Sequence, residues 1–280
     1  MAVPGSDVLD AFRLYGDRVP LPGGEGTSVR VGDAVLKPAG DDREYAEWLG
    51  EMMSSVREDG FRVARPLRAR TGSWTYRGWS AARFLPGSAP DRAAAPRWLD
   101  VIAAGRAFHR ALSGVPRPAL LDRRTDAWAV GDRVAWQERE PDPLPPLRAP
   151  YEVLVELAGP RPQEPPQLVH GDLTGNVLFA PGRAPAVIDF SPYWRPSAFG
   201  EAIVAGDAVL WHGADADLLR AVASGIGPDP VPYLARALLF RLATADAHLR
   251  ARPVAAGRVH GAPAEARRYL RAAELLRACS

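Results

Sequence analysis

The stretch from Gln167 to Phe190, QLVHGDLTGNVLFAPGRAPAVIDF, constrains the fold more than any other part of the chain. Three short apolar runs, Leu168-Val169, Val177-Leu178-Phe179 and Ala186-Val187-Ile188, are separated by His170-Gly171-Asp172 and by a Pro181-Gly182-Arg183 turn. Apolar runs of this length bounded by Gly and Pro are strand signals. The polar groups therefore fall at strand ends: His170 and Asp172 after the first run, Asn176 before the second, Asp189 after the third. A rigid scaffold can hold side chains at such places against a ligand. Accidental polar residues at strand ends are the plainer explanation, and HGD or IDF alone would not displace it. The two in order, with their aspartates 17 residues apart and an asparagine between, do.

This residue set suits phosphoryl transfer. Moving a γ-phosphoryl group requires a carboxylate to orient the attacking hydroxyl and accept its proton. It also requires oxygen ligands for Mg²⁺, which prefers one or two carboxylates plus substrate phosphates to an all-protein cage. Asp172 fits the carboxylate base, and Asn176 and Asp189 fit the metal ligands.

HGDLTGN followed by VIDF resembles the catalytic core of the aminoglycoside phosphotransferase-like kinases, relatives of the protein kinases, and looks closest to an actinobacterial branch of them. The resemblance covers nearly the full length. It implies an α+β, bilobed, protein-kinase-like fold. Residues 1–85 would form an N-lobe with an antiparallel sheet and one main helix that covers the nucleotide. Residues 86–280 would form a mostly helical C-lobe with the catalytic loop, the metal site and the acceptor pocket. The family pattern is usually H-G-D-x-x-x-x-N, and this chain has one residue fewer between Asp172 and Asn176. The loop must turn more tightly, which Gly175 permits.

Net charge is 35 − 33 = +2, so the overall field points to neither nucleic acid nor a membrane surface as partner. One cysteine, Cys279, excludes an intrachain disulfide framework. No run is long enough for a membrane span and the N-terminus lacks a signal-peptide core, so a cytoplasmic protein is expected. Of the 35 basic residues only Lys37 is lysine. In so arginine-rich a chain, a lone lysine marks a position where a compact point charge serves and a planar fork does not, unless it is simply a survivor.

Lys37 closes a pattern of its own. Val19-Pro20-Leu21 leads into Pro22-Gly23-Gly24-Glu25-Gly26-Thr27-Ser28, then Val29 and Val31 alternate with polar residues. A Gly32-Asp33 turn follows, then Ala34-Val35-Leu36-Lys37. Strand, glycine-rich turn, strand, tight turn and strand with lysine is the nucleotide-covering arrangement of kinases. Gly23, Gly24, Gly26, Thr27 and Ser28 would bring backbone N–H groups to phosphates. Lys37 would reach the α- and β-phosphates of ATP, or of GTP.

A helix is expected over 41–56, capped by Asp41 or Asp42, with an apolar stripe at Tyr45, Trp48, Leu49, Met52 and Met53. Glu44 lies at the edge of that stripe and Glu47 opposite it. The resemblance makes Glu44 the partner of Lys37, with Glu51 in reserve; a solvated acidic flank is the competing reading. It also makes Phe84 and Leu85 a hinge whose backbone meets the adenine edge.

Other strands are expected over 63–67, 73–76 and 78–84, and helices over 7–15, with a Ser6-Asp7 cap, 98–112, 151–157, 201–211, 218–224, 233–249 and 264–278. His109 is expected to be a packed or capping residue. Residues 122–150, rich in Arg, Asp, Trp and Pro, read as a surface excursion or lid with room for a short helix around Ala127-Trp128. Residues 191–196 would occupy the place of an activation segment, without an A-P-E motif, which argues against a protein substrate. In the family an aspartate at the position of Asp207 braces the catalytic loop's backbone, and Asp207 is assigned a structural role.

The expected function is transfer of a nucleotide's γ-phosphoryl to a hydroxyl of a small molecule such as a sugar, an amino alcohol or an aminoglycoside-like compound. The competing reading is a nucleotide-binding pseudokinase without turnover, which the shortened loop favours.

Overall fold

Apolar and polar residues alternate over Val29-Arg30-Val31 and Ala34-Val35-Leu36-Lys37, and every second side chain is buried: Val29, Val31, Ala34 and Leu36 are all at most 1% exposed. The structure, a computed structural model, describes residues 3–21, 26–226, 229–251 and 261–279. The chain divides into two compact units, Met1–Ser88 with Leu178–Ile188, and Ala89–Val177 with Asp189–Ser280.

The first unit contains α1 (Ser6–Phe12), β1 (Arg18–Pro20), β2 (Val29–Val31), β3 (Ala34–Pro38), α2 (Arg43–Ser55), β4 (Arg62–Val63), β5 (Thr75–Tyr76) and β6 (Trp79–Arg83). Antiparallel pairing gives a five-stranded sheet in the order β1-β2-β3-β6-β5. Val8, Leu9 and Phe12 of α1 share one core with Val29, Val31, Leu36 and Ala81 of the sheet. No side chain caps α1: Gly5 is its N-cap, and Asp7 pairs with Arg77 instead. Asp42 caps α2, its carboxylate accepting the Tyr45 N–H at 2.9 Å. The strand expected over 63–67 is cut short. Arg62–Val63 pair in parallel with β9 (Ala186–Val187), and further on Pro66 makes an isolated bridge to Ala82, flanked by bonds from the Arg83 N–H to the Arg65 carbonyl and from the Leu67 N–H to the Ala81 carbonyl.

The second unit contains α3 (Trp98–Leu112), α4 (Ala127–Ala135), α5 (Arg148–Ala158), β7 (Gln167–His170), β10 (Pro192–Arg195), α6 (Ser197–Trp211), α7 (Ala216–Ile226), α8 (Val231–Ala251) and α9 (Ala262–Arg277). The chain passes between units through β8 (Val177–Leu178). Helix α8 is central here, with α4, α5, α6 and α9 packed on it. No helix among the described residues is long and apolar enough to cross a membrane.

Residues 122–150 are not a surface lid. Asp126 caps α4 by accepting the N–H groups of Trp128 and Ala129, and Val134, Ala135, Trp136 and Leu147 are all buried. Gly131 makes this packing possible: a Cβ there would lie 2.3 Å from the Thr244 hydroxyl and 2.7 Å from the Phe240 carbonyl of α8. The short helix expected around Ala127-Trp128 is α4, and its buried face carries Ala129, Gly131, Val134 and Ala135.

Candidate active site

The site is built on β7. This strand pairs antiparallel with β10, His170 opposite Pro192, so residues 192–195 form a strand where an activation segment was expected. From its other side α3 supplies His109, whose Nε2 accepts the His170 backbone N–H at 2.9 Å, while the Gln167 side-chain amide donates to the His109 carbonyl at 2.8 Å. Burial, reinforced by neighbouring His170, pushes the His109 pKa down to about 3. The ring is therefore neutral and can act as an acceptor. Gly200 of α6 makes room for it, since a Cβ there would lie 2.4 Å from His109 Cε1.

Beyond His170 the backbone turns sharply. The Gly171 N–H donates to the Ser191 carbonyl at 2.9 Å, and a Cβ at Gly171 would collide with the Tyr193 ring at 2.3 Å. The Asp172 N–H donates to His170 Nδ1 at 3.1 Å. Leu173 is fully buried against Gly105 of α3, again where a Cβ would not fit. Gly175 has φ +95°, in the left-handed region that glycine tolerates, and the Asn176 N–H closes the turn on the Leu173 carbonyl at 2.9 Å. The Asn176 amide nitrogen then donates to both the Asp172 carbonyl at 2.6 Å and Asp172 Oδ2 at 2.9 Å. The loop with one residue fewer thus holds Asn176 on Asp172. With its nitrogen so engaged, Asn176 has its Oδ1 to offer a metal.

The other oxygen of Asp172 faces a residue that the sequence reading did not single out. Arg241 of α8, 3% exposed, forks onto Asp207 of α6 with two bonds of 2.7 Å, and its NH2 lies 3.6 Å from Asp172 Oδ1. Asp207 is structural, as expected, but its partner is this guanidinium. The indoles of Trp128 and Trp211 flank Arg241, their centroids 5.2 and 5.7 Å from its central carbon. Half of the Asp172 side chain is open to solvent (52%), yet desolvation on the protein side still raises its pKa above the ordinary aspartate value. Arg241 and the Asn176 bond oppose that rise; the charges of Asp207 and Asp189 add to it. Asp189, at the end of the third apolar run, is exposed and holds a left-handed φ of 53°, a rare backbone state for a non-glycine residue.

In the first unit, Lys37 lies on β3 opposite Ser80, half-buried, and Glu44 is exposed in the first turn of α2. Glu47 is not on a solvated face. Its carboxylate accepts the Trp74 and Thr75 N–H groups and the Ser73 and Thr75 hydroxyls, tying α2 to β5. Glu51 accepts from Arg68 and from the Trp74 indole N–H. Of the glycine-rich turn, Gly23 and Gly24 lie outside the described residues. Gly26 has φ +67°, Thr27 follows, and the Ser28 carbonyl accepts the Leu21 N–H at 3.0 Å. The Phe84 N–H is taken by the Asp33 carbonyl at 2.7 Å, so it is not available to a ligand.

Among known proteins, the sequence profile of a family described as the phosphotransferase enzyme family matches residues 20–193. No curated protein is matched by sequence. Among solved structures, an aminoglycoside phosphotransferase from Alicyclobacillus acidocaldarius superposes with a TM-score of 0.65 at 16% identity, covering 100% of this chain and 95% of that one. Choline kinase LicA from Streptococcus pneumoniae gives 0.57 at 10% identity, over 98% and 97% of the two chains. A spectinomycin phosphotransferase solved with ADP and spectinomycin gives 0.51 at 14% identity, over 94% and 92%. At such identities the likeness is one of fold, and that fold is the mixed α+β kinase-like one.

Proposed function

Because the chain belongs to the phosphotransferase enzyme family and is a small-molecule phosphotransferase, we propose that it moves the γ-phosphoryl group of ATP, or of GTP, onto a hydroxyl of its acceptor. The observation that carries this reading is the setting of Asp172: a carboxylate at a strand end, held through Oδ2 by Asn176 and faced at Oδ1 by Arg241. Its raised pKa makes it a better proton acceptor near neutral pH than an ordinary aspartate. The acceptor oxygen bonds to the γ-phosphorus as its proton passes to Asp172. The bond from that phosphorus to the bridging oxygen of the departing ADP breaks. Such a reaction asks for positioning and charge neutralisation more than for covalent chemistry.

Asn176 Oδ1 and the Asp189 carboxylate are hard oxygen donors and fit Mg²⁺, which takes few protein ligands and keeps water and phosphate oxygens. Among the described residues no group of three or more His, Cys, Asp or Glu side chains would cage a metal unaided, which agrees with that mode. When bound, the ion neutralises phosphate charge. Lys37 supplies a point charge to the α- and β-phosphates, Glu44 steadies Lys37, and Gly23, Gly24, Gly26, Thr27 and Ser28 offer backbone N–H groups. Leu85, next to Phe84, meets the base. The acceptor is a small hydroxylated molecule: a sugar, an amino alcohol or an aminoglycoside-like compound.

The competing reading of a pseudokinase draws on the shortened loop; the hydrogen bond from Asn176 to Asp172, with Gly175 at positive φ between them, supports the catalytic reading. Nucleotide consumption with Mg²⁺, measured against a panel of sugars, amino alcohols and aminoglycosides, tests the proposal. Acceptor-dependent ADP release with a phosphorylated hydroxyl is the expected outcome. Thermal stabilisation by ATP·Mg²⁺ without turnover on any acceptor would favour the pseudokinase.

A further inference from the structure

A single exposed apolar side chain is ordinary, but two large ones at the same spot mark a surface that something else covers. Of the eight tryptophans, Trp128 and Trp211 are the exposed ones, at 39% and 44%; the others are buried or half-buried. They come from different elements. Trp128 lies in the first turn of α4, behind the Asp126 cap, and Trp211 is the last residue of α6. Both helices pack on α8, where the central carbon of Arg241 lies 5.2 and 5.7 Å from the two ring centres. Arg241 NH2 is in turn 3.6 Å from Asp172 Oδ1. Followed along that path, each exposed indole has its centre no more than about 11 Å from the carboxylate proposed as base. One small molecule can touch both.

The charges around these rings decide what kind of molecule fits. The Arg241 guanidinium already faces both indoles within cation–π range. Arg92 adds a second cation: its NH1 lies 3.4 Å from where a Cβ on Gly175 would be, and among the described residues it has no carboxylate partner. Burial, and after it the charge of Arg92, lower the pKa of His212, the residue following Trp211. An uncharged imidazole there can both donate to and accept from hydroxyls. Asp207 is spent on Arg241, while Asp172 and Asp189 serve the acceptor hydroxyl and the metal in the reaction proposed above. An ammonium group entering here would meet two guanidinium charges, and a neutral ring would not. A sugar or cyclitol offers C–H bonds on one face, which suit an indole, and hydroxyls around its rim.

We propose that Trp128 and Trp211 form the acceptor subsite, and that the acceptor is a neutral ring polyol, a sugar or cyclitol, whose C–H face packs on the indoles while one hydroxyl reaches Asp172. The inference rests on the phosphotransfer reading above and deepens it by choosing among acceptor classes: amino alcohols and aminoglycosides, which carry ammonium groups, are excluded.

The test uses the full chain with a non-hydrolysable ATP analogue and Mg²⁺. Acrylamide quenches the fluorescence of exposed indoles before that of buried ones, so it reads Trp128 and Trp211. At least one ring polyol from a panel of pentoses, hexoses, disaccharides and inositols is expected to shield that fluorescence, and choline and kanamycin are not. In turnover with ATP, Trp128→Leu and Trp211→Leu keep apolar bulk and lose the flat face. Each should raise the KM of that polyol about 3- to 10-fold and leave the nucleotide KM within about 2-fold. Trp128→Phe and Trp211→Phe should recover part of the loss. Shielding by no polyol overturns the proposal, as does an unchanged polyol KM in both folded leucine variants. If those variants do not fold, quenching of the wild-type protein decides alone. The two readings fail separately. A polyol that shields the indoles but is not phosphorylated keeps the subsite and sinks the phosphotransfer reading. Phosphorylation of choline or kanamycin, and of no polyol, keeps that reading and sinks the subsite.

Discussion

His109 shows how a single residue holds the strand that carries the candidate site. A histidine kept neutral by burial accepts a backbone N–H that would otherwise be orphaned at the end of β7. Protonation would remove that acceptor and bury a charge, so the folded state resists it and the unfolded state does not. The sign follows. Between the ordinary histidine value and the folded value of about 3, the unfolded chain binds the extra proton, so stability is lost as pH falls through that window. His109→Gln keeps an acceptor and does not titrate. It should flatten the fall in Tm between roughly pH 6.5 and pH 4, a difference worth on the order of a few kcal/mol at the acid end. Parallel melting curves for the two proteins across that range would show that His109 is not what titrates. A packed role for His109 was legible from its place on an apolar helix face; its partner was not, because 61 residues separate it from His170. Arg241 left a readable trace that went unused. An arginine inside ALLFRLAT needs a buried acid, and Asp207 inside the apolar α6 was the matching orphan.

At the scale of elements, side chains that look interchangeable in sequence do different work. Glu44, Glu47 and Glu51 lie on the same helix. Burial raises the Glu47 pKa, but hydrogen bonds from Ser73, Trp74 and Thr75 outweigh it and hold the carboxyl below its ordinary value. Its stabilising effect is thus present at neutral pH and is lost as pH falls through the depressed folded value. Glu47→Ala strips the donors at the start of β5 of their acceptor and should cost about 2–3 kcal/mol in chemical denaturation at pH 7. Glu44→Ala, at an exposed position, should cost less than about 1 kcal/mol. Equal costs would mean that α2 does not anchor β5 through Glu47. Helical periodicity placed α2 with its cap at Asp41 or Asp42, but a contact to a strand 28 residues away is not written in that periodicity. The same limit applied to α4, whose close approach to α8 at Gly131 joins residues far apart in the chain.

For the whole molecule, the alternating and helical patterns placed the main strands and helices because each has one buried face. The HGD and IDF tripeptides mark the candidate site because strand ends position polar groups. What stayed hidden were the long-range polar pairs and the glycine contacts at Gly105, Gly171 and Gly200, which depend on the packing of several elements at once. Charge type follows the same division. The buried cations Arg236 and Arg241 each direct several donors at carboxylates or carbonyls, a task for a fork, whereas the single lysine lies half-buried on β3. The central claim, that Asp172 performs proton transfer while Lys37 serves nucleotide binding, is tested most directly by one paired measurement. Calorimetric ATP·Mg²⁺ binding and steady-state turnover are compared in Asp172→Asn and Lys37→Met. The expected result is that Asp172→Asn loses turnover by at least about 10²-fold with ATP affinity within a few-fold of wild type, and that Lys37→Met loses affinity. Loss of binding and turnover together in Asp172→Asn, or full turnover in either variant, would contradict the account.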